Sequence, residues 1–155
     1  MRVLLIGSGG REHALALGLI KSPKLEKLFC LPGNAGIGKV CELVSIKQND
    51  NEAILSFVKE NKIDFVIVGP EQPLADGLVN ILVKEGIPAF GPSKEAAELE
   101  SSKAFAKYIM AKYNIPTADY KVFSRSEKAL LIHYLKTSAY PLVIKADGLA
   151  AGKGV

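Results

Sequence analysis

The chain has 155 residues, 48% hydrophobic and 23% charged, enough apolar material for one ordinary domain or for a domain and part of another. That composition excludes intrinsic disorder, and apolar runs such as Val3 to Ile6 and Phe65 to Val68 fall far short of the roughly 20 residues that span a bilayer. The net charge of +4 lies in the last 63 residues, with 10 basic and 6 acidic side chains against 10 and 10 over residues 1–92; the lysines are scattered without interleaved aromatics, which disfavours nucleic acid and suits a polyphosphate ligand.

Val3 to Ile6 reads as a buried strand ended by glycine, and Arg11 to Ile20 as a helix with Ala14, Leu15 and Leu17 available for burial. Polar Ser8, Arg11 and Glu12 interrupt this region before the roughly 7-residue apolar core of an export signal forms. Strands follow at Lys27 to Leu31 and Leu43 to Ile46, then a helix over Asn51 to Asn61 capped by Asp50, and a strand at Phe65 to Val68. A helix from Leu74 to Glu85 stops at Gly86, and Pro88 to Phe90 forms a short strand. This βαβ-like order predicts a small doubly wound parallel α/β domain over residues 1–92.

Gly91-Pro92-Ser93 marks the expected boundary, because no glycine occurs between Gly91 and Gly148 and lysine-rich helix follows. Ser93 can cap one helix, and Ser102 to Tyr113 reads as another. Tyr120 to Phe123 and Leu142 to Lys145 read as strands, and Ser124 with Glu127 is a capping-box pattern for a helix to about Lys136. Cys30 and Cys41 form no CxxC and have no histidine nearby, so neither a disulfide nor a zinc site is expected and a reducing cytoplasm is the default.

Nine of the 14 glycines fall in three clusters, at 7, 9, 10, at 33, 36, 38 and at 148, 152, 154. The first lies between strand and helix, where backbone N–H groups and the helix dipole favour an anion. Glu12 stands where a dinucleotide fold needs Gly or Ala, and Cys30-Leu31-Pro32 stands where it needs an acid, so NAD is disfavoured. Arg11 can add charge to a bound phosphate. His13 reads as a packing or orienting group.

Pro32-Gly33-Asn34-Ala35-Gly36 and Gly69-Pro70-Glu71 each follow a strand, so their loops should converge with the first glycine loop. Asn34 offers donor and acceptor, and the Glu71 carboxylate can accept two ribose hydroxyls, which together imply a small phosphorylated sugar. The stretch Lys145 to Gly154 has three residues between Gly148 and Gly152 and Gly154 after Lys153, so it is no Walker A loop. It reads as a glycine flap, with Lys103 and Lys145 as candidate phosphate lysines.

GSGGREHA at 7–14, PGNAG at 32–36, GPEQPL at 69–74, FGPS at 90–93, LESSKAFAK at 99–107 and KADGLAAGKGV at 145–155 together resemble the glycinamide ribonucleotide synthetase (phosphoribosylamine-glycine ligase) family of ATP-grasp carboxylate-amine ligases. The resemblance implies a purine-pathway reaction joining 5-phosphoribosylamine to glycine through glycyl phosphate, with ATP cleaved to ADP and phosphate and Mg2+ or Mn2+ required. It implies that Gly9, Gly10, Arg11 and Glu12 lie near the sugar phosphate, with Gly33 and Asn34 beside them and Glu71 at the ribose. Lys103, Lys145, Gly148, Gly152, Lys153 and Gly154 would serve ATP, residues 93–155 would open the ATP-grasp domain, and metal ligands would lie past Val155. No catalytic residue is expected within the 155.

Family members continue well past this length, so the chain is expected to be an N-terminal portion, inactive alone. A cytoplasmic setting, no membrane, and transient contact with the enzyme that makes phosphoribosylamine complete the expectation. A non-catalytic sugar-phosphate-binding module and the start of another ATP-grasp ligase remain the alternatives.

Overall fold

The computed structural model describes residues 1–150. Two compact units, Met1–Ala97 and Glu98–Val155, divide the chain. In the first, β1 (Arg2–Gly7), α1 (Gly10–Leu19), β2 (Lys27–Pro32), β3 (Glu42–Leu43), α2 (Asn51–Glu60), β4 (Phe65–Val68), α3 (Glu71–Ala75), α4 (Leu78–Lys84) and β5 (Ala89–Phe90) follow one another. Every strand pairing is parallel and the sheet order is β3-β2-β1-β4-β5. The sheet therefore turns outward from β1 in both directions, the doubly wound arrangement expected from the alternating order.

Alternation along the strands builds two cores. Leu4, Ile6, Phe29, Leu31, Val66 and Val68 pack with Ile54 and Val58 of α2 and with Leu78, Val79 and Leu82 of α4. On the opposite face Val3, Leu5, Leu28, Cys30 and Ile67 pack with Ala16 of α1 and with Ile37. Strands buried on both faces must be apolar throughout, which is why β1 and β4 read as continuous hydrophobic runs. Each fully buried leucine or isoleucine contributes about 1.5–3 kcal/mol relative to exposure.

Three details of this unit depart from the sequence reading. Helix α1 buries Glu12 and Ala16 and leaves Ala14, Leu15 and Leu17 exposed, because only its thin Ala16 side meets the sheet. The helix expected from Leu74 to Glu85 is two helices, interrupted where Gly77 takes φ +87°, a left-handed value that ends one turn and starts the next. Strand β3 is shorter than Leu43 to Ile46, since its pairing with β2 covers only Glu42 and Leu43. Asp50 caps α2 as expected, its carboxylate accepting from the Ala53 amide at 3.0 Å.

Helix α5 (Lys94–Ser101) crosses the division between the units, and Ser93 Oγ accepts from the Ala96 amide at its start. The second unit continues with α6 (Lys103–Lys112), a 3-10 turn at Arg125–Glu127 and α7 (Lys128–Thr137). Ser102 caps α6, and the Ser124–Glu127 capping box forms. Tyr120 to Phe123 and Leu142 to Lys145 are not strands: a strand exists only through its ladder, and neither segment finds a partner among the described residues. Between Glu98 and Ala150 no residue is buried, with Val143 72% and Ile144 62% exposed. No helix among the described residues is long and apolar enough to cross a membrane.

Candidate functional site

The winding of the sheet reverses between β1 and β4, so the loops that follow these parallel strands border the crevice of the sheet. A cleft of about 620 Å³ opens there, lined by Ser8 after β1, Pro32 at the end of β2, Ser45 to Asn49 after β3, and Gln72 and Pro73 of α3. All four lie at or beyond the carboxyl ends of parallel strands, Gln72 and Pro73 in the helix that follows β4. The three loops singled out in the sequence thus meet on one side of the sheet.

Contacts between these loops are specific. Asn34 donates from Nδ2 to the Ser8 carbonyl at 2.8 Å, and its Oδ1 accepts from the amides of Gly36 and Ile37 at 2.8 and 2.9 Å. The Gly33 amide donates to the Gly7 carbonyl at 3.1 Å. Arg11 donates from Nη1 to the Gly69 carbonyl at 2.8 Å and from Nη2 to Glu71 Oε1 at 3.1 Å. One loop is therefore tied to its neighbour on each side. The ring of His13 lies against Gly36, where an added Cβ would sit 2.7 Å from His13 Cε1, the packing role expected of this histidine.

Glu12 is placed differently from a substrate contact. It is 4% exposed, and its Oε2 accepts the Gly9 amide at 2.7 Å, closing the first turn of α1 from within. A Cβ on Gly7 would stand 2.6 Å from Glu12 Cγ and Cδ, and one on Gly69 would stand 2.8 Å from Cδ. The side chain fills a slot that only glycine leaves open after β1 and β4. Its carboxylate shapes the loop and uses up the Gly9 amide, whereas Gly10 faces open space, with nothing within 4 Å of a Cβ placed there.

Glu71 opens α3, where its own backbone amide and then the Arg11 guanidinium hold its carboxyl below the usual glutamate range. It is ionised at neutral pH and remains accessible, with 39% of its side chain exposed. Burial pushes the Cys30 thiol up to about 12, and it donates to the Gly7 carbonyl at 3.4 Å beneath the glycine loop.

In the second unit the candidates Lys103 and Gly148 meet beside Asp147. Asp147 Oδ1 accepts the Lys103 amide at 2.6 Å and the Ala104 amide at 3.2 Å, and Ser102 Oγ donates to Oδ2 at 3.1 Å. Desolvation alone would push this carboxyl above the usual aspartate range, but the amides of Ala104, Gly148 and Lys103 outweigh it and hold the group below that range. Lys103 Nζ donates to the Gly148 carbonyl at 2.8 Å. Lys145 is exposed, two residues before this knot. Gly152, Lys153 and Gly154 lie outside the described residues. Among the described residues no group of three or more His, Cys, Asp or Glu is placed to hold a metal ion.

The segment Ser45 to Asn49 carries no motif and was not expected at the site. The signal that finds it is its position just past a strand of the parallel sheet, the same rule that placed the other loops.

Fold and loops define the first unit as a doubly wound α/β domain with its crevice at the strand switch. Residues 1–100 match the family model described as phosphoribosylglycinamide synthetase, N domain, and residues 101–155 match that of the ATP-grasp (A) domain of the same synthetase. The chain belongs to the phosphoribosylglycinamide synthetase family. It is 54% identical over 155 residues to phosphoribosylamine–glycine ligase of Caldanaerobacter subterraneus subsp. tengcongensis and 55% identical to that of Brucella melitensis. All of this chain matches 37% and 36% of those proteins, respectively, so it spans little more than a third of their length. The crystal structure of phosphoribosylamine–glycine ligase from Thermotoga maritima superimposes with a TM-score of 0.75 at 36% identity, covering 99% of this chain and 35% of that one. A biotin carboxylase domain from Hydrogenobacter thermophilus, at 19% identity, shares the fold with a TM-score of 0.73 over 97% of this chain and 36% of that one.

Proposed function

We propose that this chain provides the sugar-phosphate site and the opening of the ATP site of a phosphoribosylamine–glycine ligase. The observation that carries the reading is the cleft at the strand switch, bordered by the turns after β1, β2 and β4 that hold the family motifs. In the reaction the glycine carboxylate attacks the γ-phosphorus of ATP, releasing ADP and leaving glycyl phosphate. The amine nitrogen of 5-phosphoribosylamine then attacks the acyl carbon, phosphate leaves, and the nitrogen loses a proton. Catalysis of this kind is mostly positioning and charge neutralisation.

The residues divide this work. Gly10 admits the sugar phosphate to the start of α1, beside Gly9, while Arg11 is engaged by the Gly69 carbonyl and Glu71. The ionised Glu71 carboxylate accepts ribose hydroxyls, and Arg11 fixes its orientation. Gly33 and Asn34 brace the loop opposite, and Glu12 sets its curvature from below. Residues 93–155 open the ATP-grasp domain, where Lys103 and Lys145 serve ATP phosphates and Gly148, Gly152, Lys153 and Gly154 form the glycine flap. Lys103 exchanges the Gly148 carbonyl for a phosphate oxygen when ATP arrives. Magnesium would add further neutralisation when bound, through ligands that the reading assigns past Val155. The setting is cytoplasmic, with brief contact to the enzyme that makes the labile amine.

Calorimetry of the 155-residue chain with ribose 5-phosphate tests the sugar-phosphate reading. Binding is expected for the wild type and is expected to weaken about tenfold in Glu71→Gln, which keeps shape and removes charge. Absence of ribose 5-phosphate binding, or binding indifferent to Glu71, overturns it.

A further inference from the structure

The nine residues that line the cleft include one charged side chain, Lys47, and no acid. The others supply hydroxyls from Ser8 and Ser45, carboxamides from Gln48, Asn49 and Gln72, and apolar floor from Ile46 and the prolines. Such a lining suits a polar anion.

The cation of the motif loop is engaged elsewhere. Arg11 binds the Gly69 carbonyl and Glu71, and it lines a different depression on α1 with Ala14 and Leu15. By contrast Lys47 is exposed and no acidic partner stands within ion-pair distance among the described residues, whereas Lys27 and Lys59 are paired with Glu42 and Glu85 at 2.6 Å each.

The backbone that carries Lys47 is held at both ends. Upstream, the Val44 amide donates to the Cys30 carbonyl at 2.8 Å, fixing the exit from β3 to the sheet. Downstream, the Asp50 amide donates to the Lys47 carbonyl at 3.0 Å, and Asp50 in turn caps α2. A cation on a pinned turn costs less ordering entropy on binding than one on a loose loop.

We infer that Lys47 is a further substrate-positioning residue, supplying the positive charge that meets the phosphate of the sugar phosphate in this cleft. The inference rests on the sugar-phosphate reading of the site and adds to it a fourth loop and the residue that distinguishes a phosphorylated sugar from a free one. Lys47 contributes a charge-assisted hydrogen bond, while the ribose is held by Glu71, so the two contacts separate by ligand.

The test titrates the 155-residue chain with ribose 5-phosphate and with ribose, following backbone amide shifts, in wild type, Lys47→Gln, Lys47→Arg and Glu71→Gln. Lys47→Gln is expected to raise the ribose 5-phosphate Kd about tenfold at low salt and to flatten its rise between about 50 and 200 mM salt. Ribose binding stays unchanged in that variant, and Lys47→Arg stays within about threefold of wild type, because it keeps the charge. Equal ribose 5-phosphate affinity in wild type and Lys47→Gln, with weakening in Glu71→Gln, overturns the role of Lys47 and leaves the site reading standing. No binding of either compound to the wild type overturns both. The amide spectrum of Lys47→Gln away from the cleft reports that the fold is intact.

Discussion

The slot that holds Glu12 gives a sharp test of how the glycine loops are built. In Gly69→Ala the new Cβ would stand 2.8 Å from Glu12 Cδ, too close for real carbon contacts, so the buried carboxylate must shift. Overpacking of this kind costs about 1–3 kcal/mol, offset by about 0.4–1 kcal/mol from the less flexible unfolded chain, which leaves a net loss of about 1–2 kcal/mol. Gly69 does not have a left-handed φ, so no backbone strain enters. Glu12→Ala alone loses the bond to the Gly9 amide and the side-chain packing, again about 1–2 kcal/mol. In the double variant the obstructing atoms are gone, and adding Ala at 69 becomes neutral or favourable by about 0.5 kcal/mol. Urea unfolding followed by circular dichroism should therefore show losses that fall short of additive by about 2 kcal/mol. Gly7→Ala is the control: its φ of +128° strains any side chain, so it stays destabilising even beside Glu12→Ala. Additive losses at Gly69 and Glu12, within about 0.5 kcal/mol, would refute the claim that this carboxylate is what the glycine makes room for.

Three further outcomes follow from the electrostatics. The Glu71 carboxyl, held low by its own amide and by Arg11, contributes stability above the ordinary glutamate range that is lost as pH falls through its folded value; its NMR titration midpoint should rise in Arg11→Met, and an unchanged midpoint contradicts the pairing. The same sign holds for Asp147, so hydrogen exchange at the Lys103 and Ala104 amides should quicken beyond the intrinsic rate change on acidification and in Asp147→Ala at neutral pH. With its thiol raised to about 12 and buried, Cys30 should resist alkylation at pH 8 in the native chain and react after unfolding; rapid native labelling at Cys30 would contradict its burial.

Sheet and loops were legible in the sequence because burial on both faces forces uninterrupted apolar runs, and glycine turns then mark where each strand ends. Tyr120 to Phe123 and Leu142 to Lys145 show the limit of that signal. Their composition suits a strand, but a ladder needs a partner, and composition does not report one. Helix α1 misled for another reason: Leu15 and Leu17 are the larger apolar groups, yet Ala16 faces the sheet because the helix approaches closely there. At the site, Glu12 and Asn34 were visible as polar groups beside glycines, and what stayed hidden was which hydrogen bonds they already make. Lys47 was hidden for want of a neighbouring glycine or motif. Its place depends on the brief β3, whose carboxyl end brings an unremarkable stretch to the crevice.

The absence of any buried residue from Glu98 to Ala150 has a calorimetric consequence. The heat-capacity change of unfolding comes from apolar surface newly wetted, at about 12–15 cal/mol/K per residue in an ordinary globular chain. If only the 97 residues of the first unit bury a core, a melt of this chain should show about 1.3 kcal/mol/K, against about 2.1 kcal/mol/K for 155 cooperatively folded residues. The thermogram would then weigh the molecule by its sheet rather than by its mass.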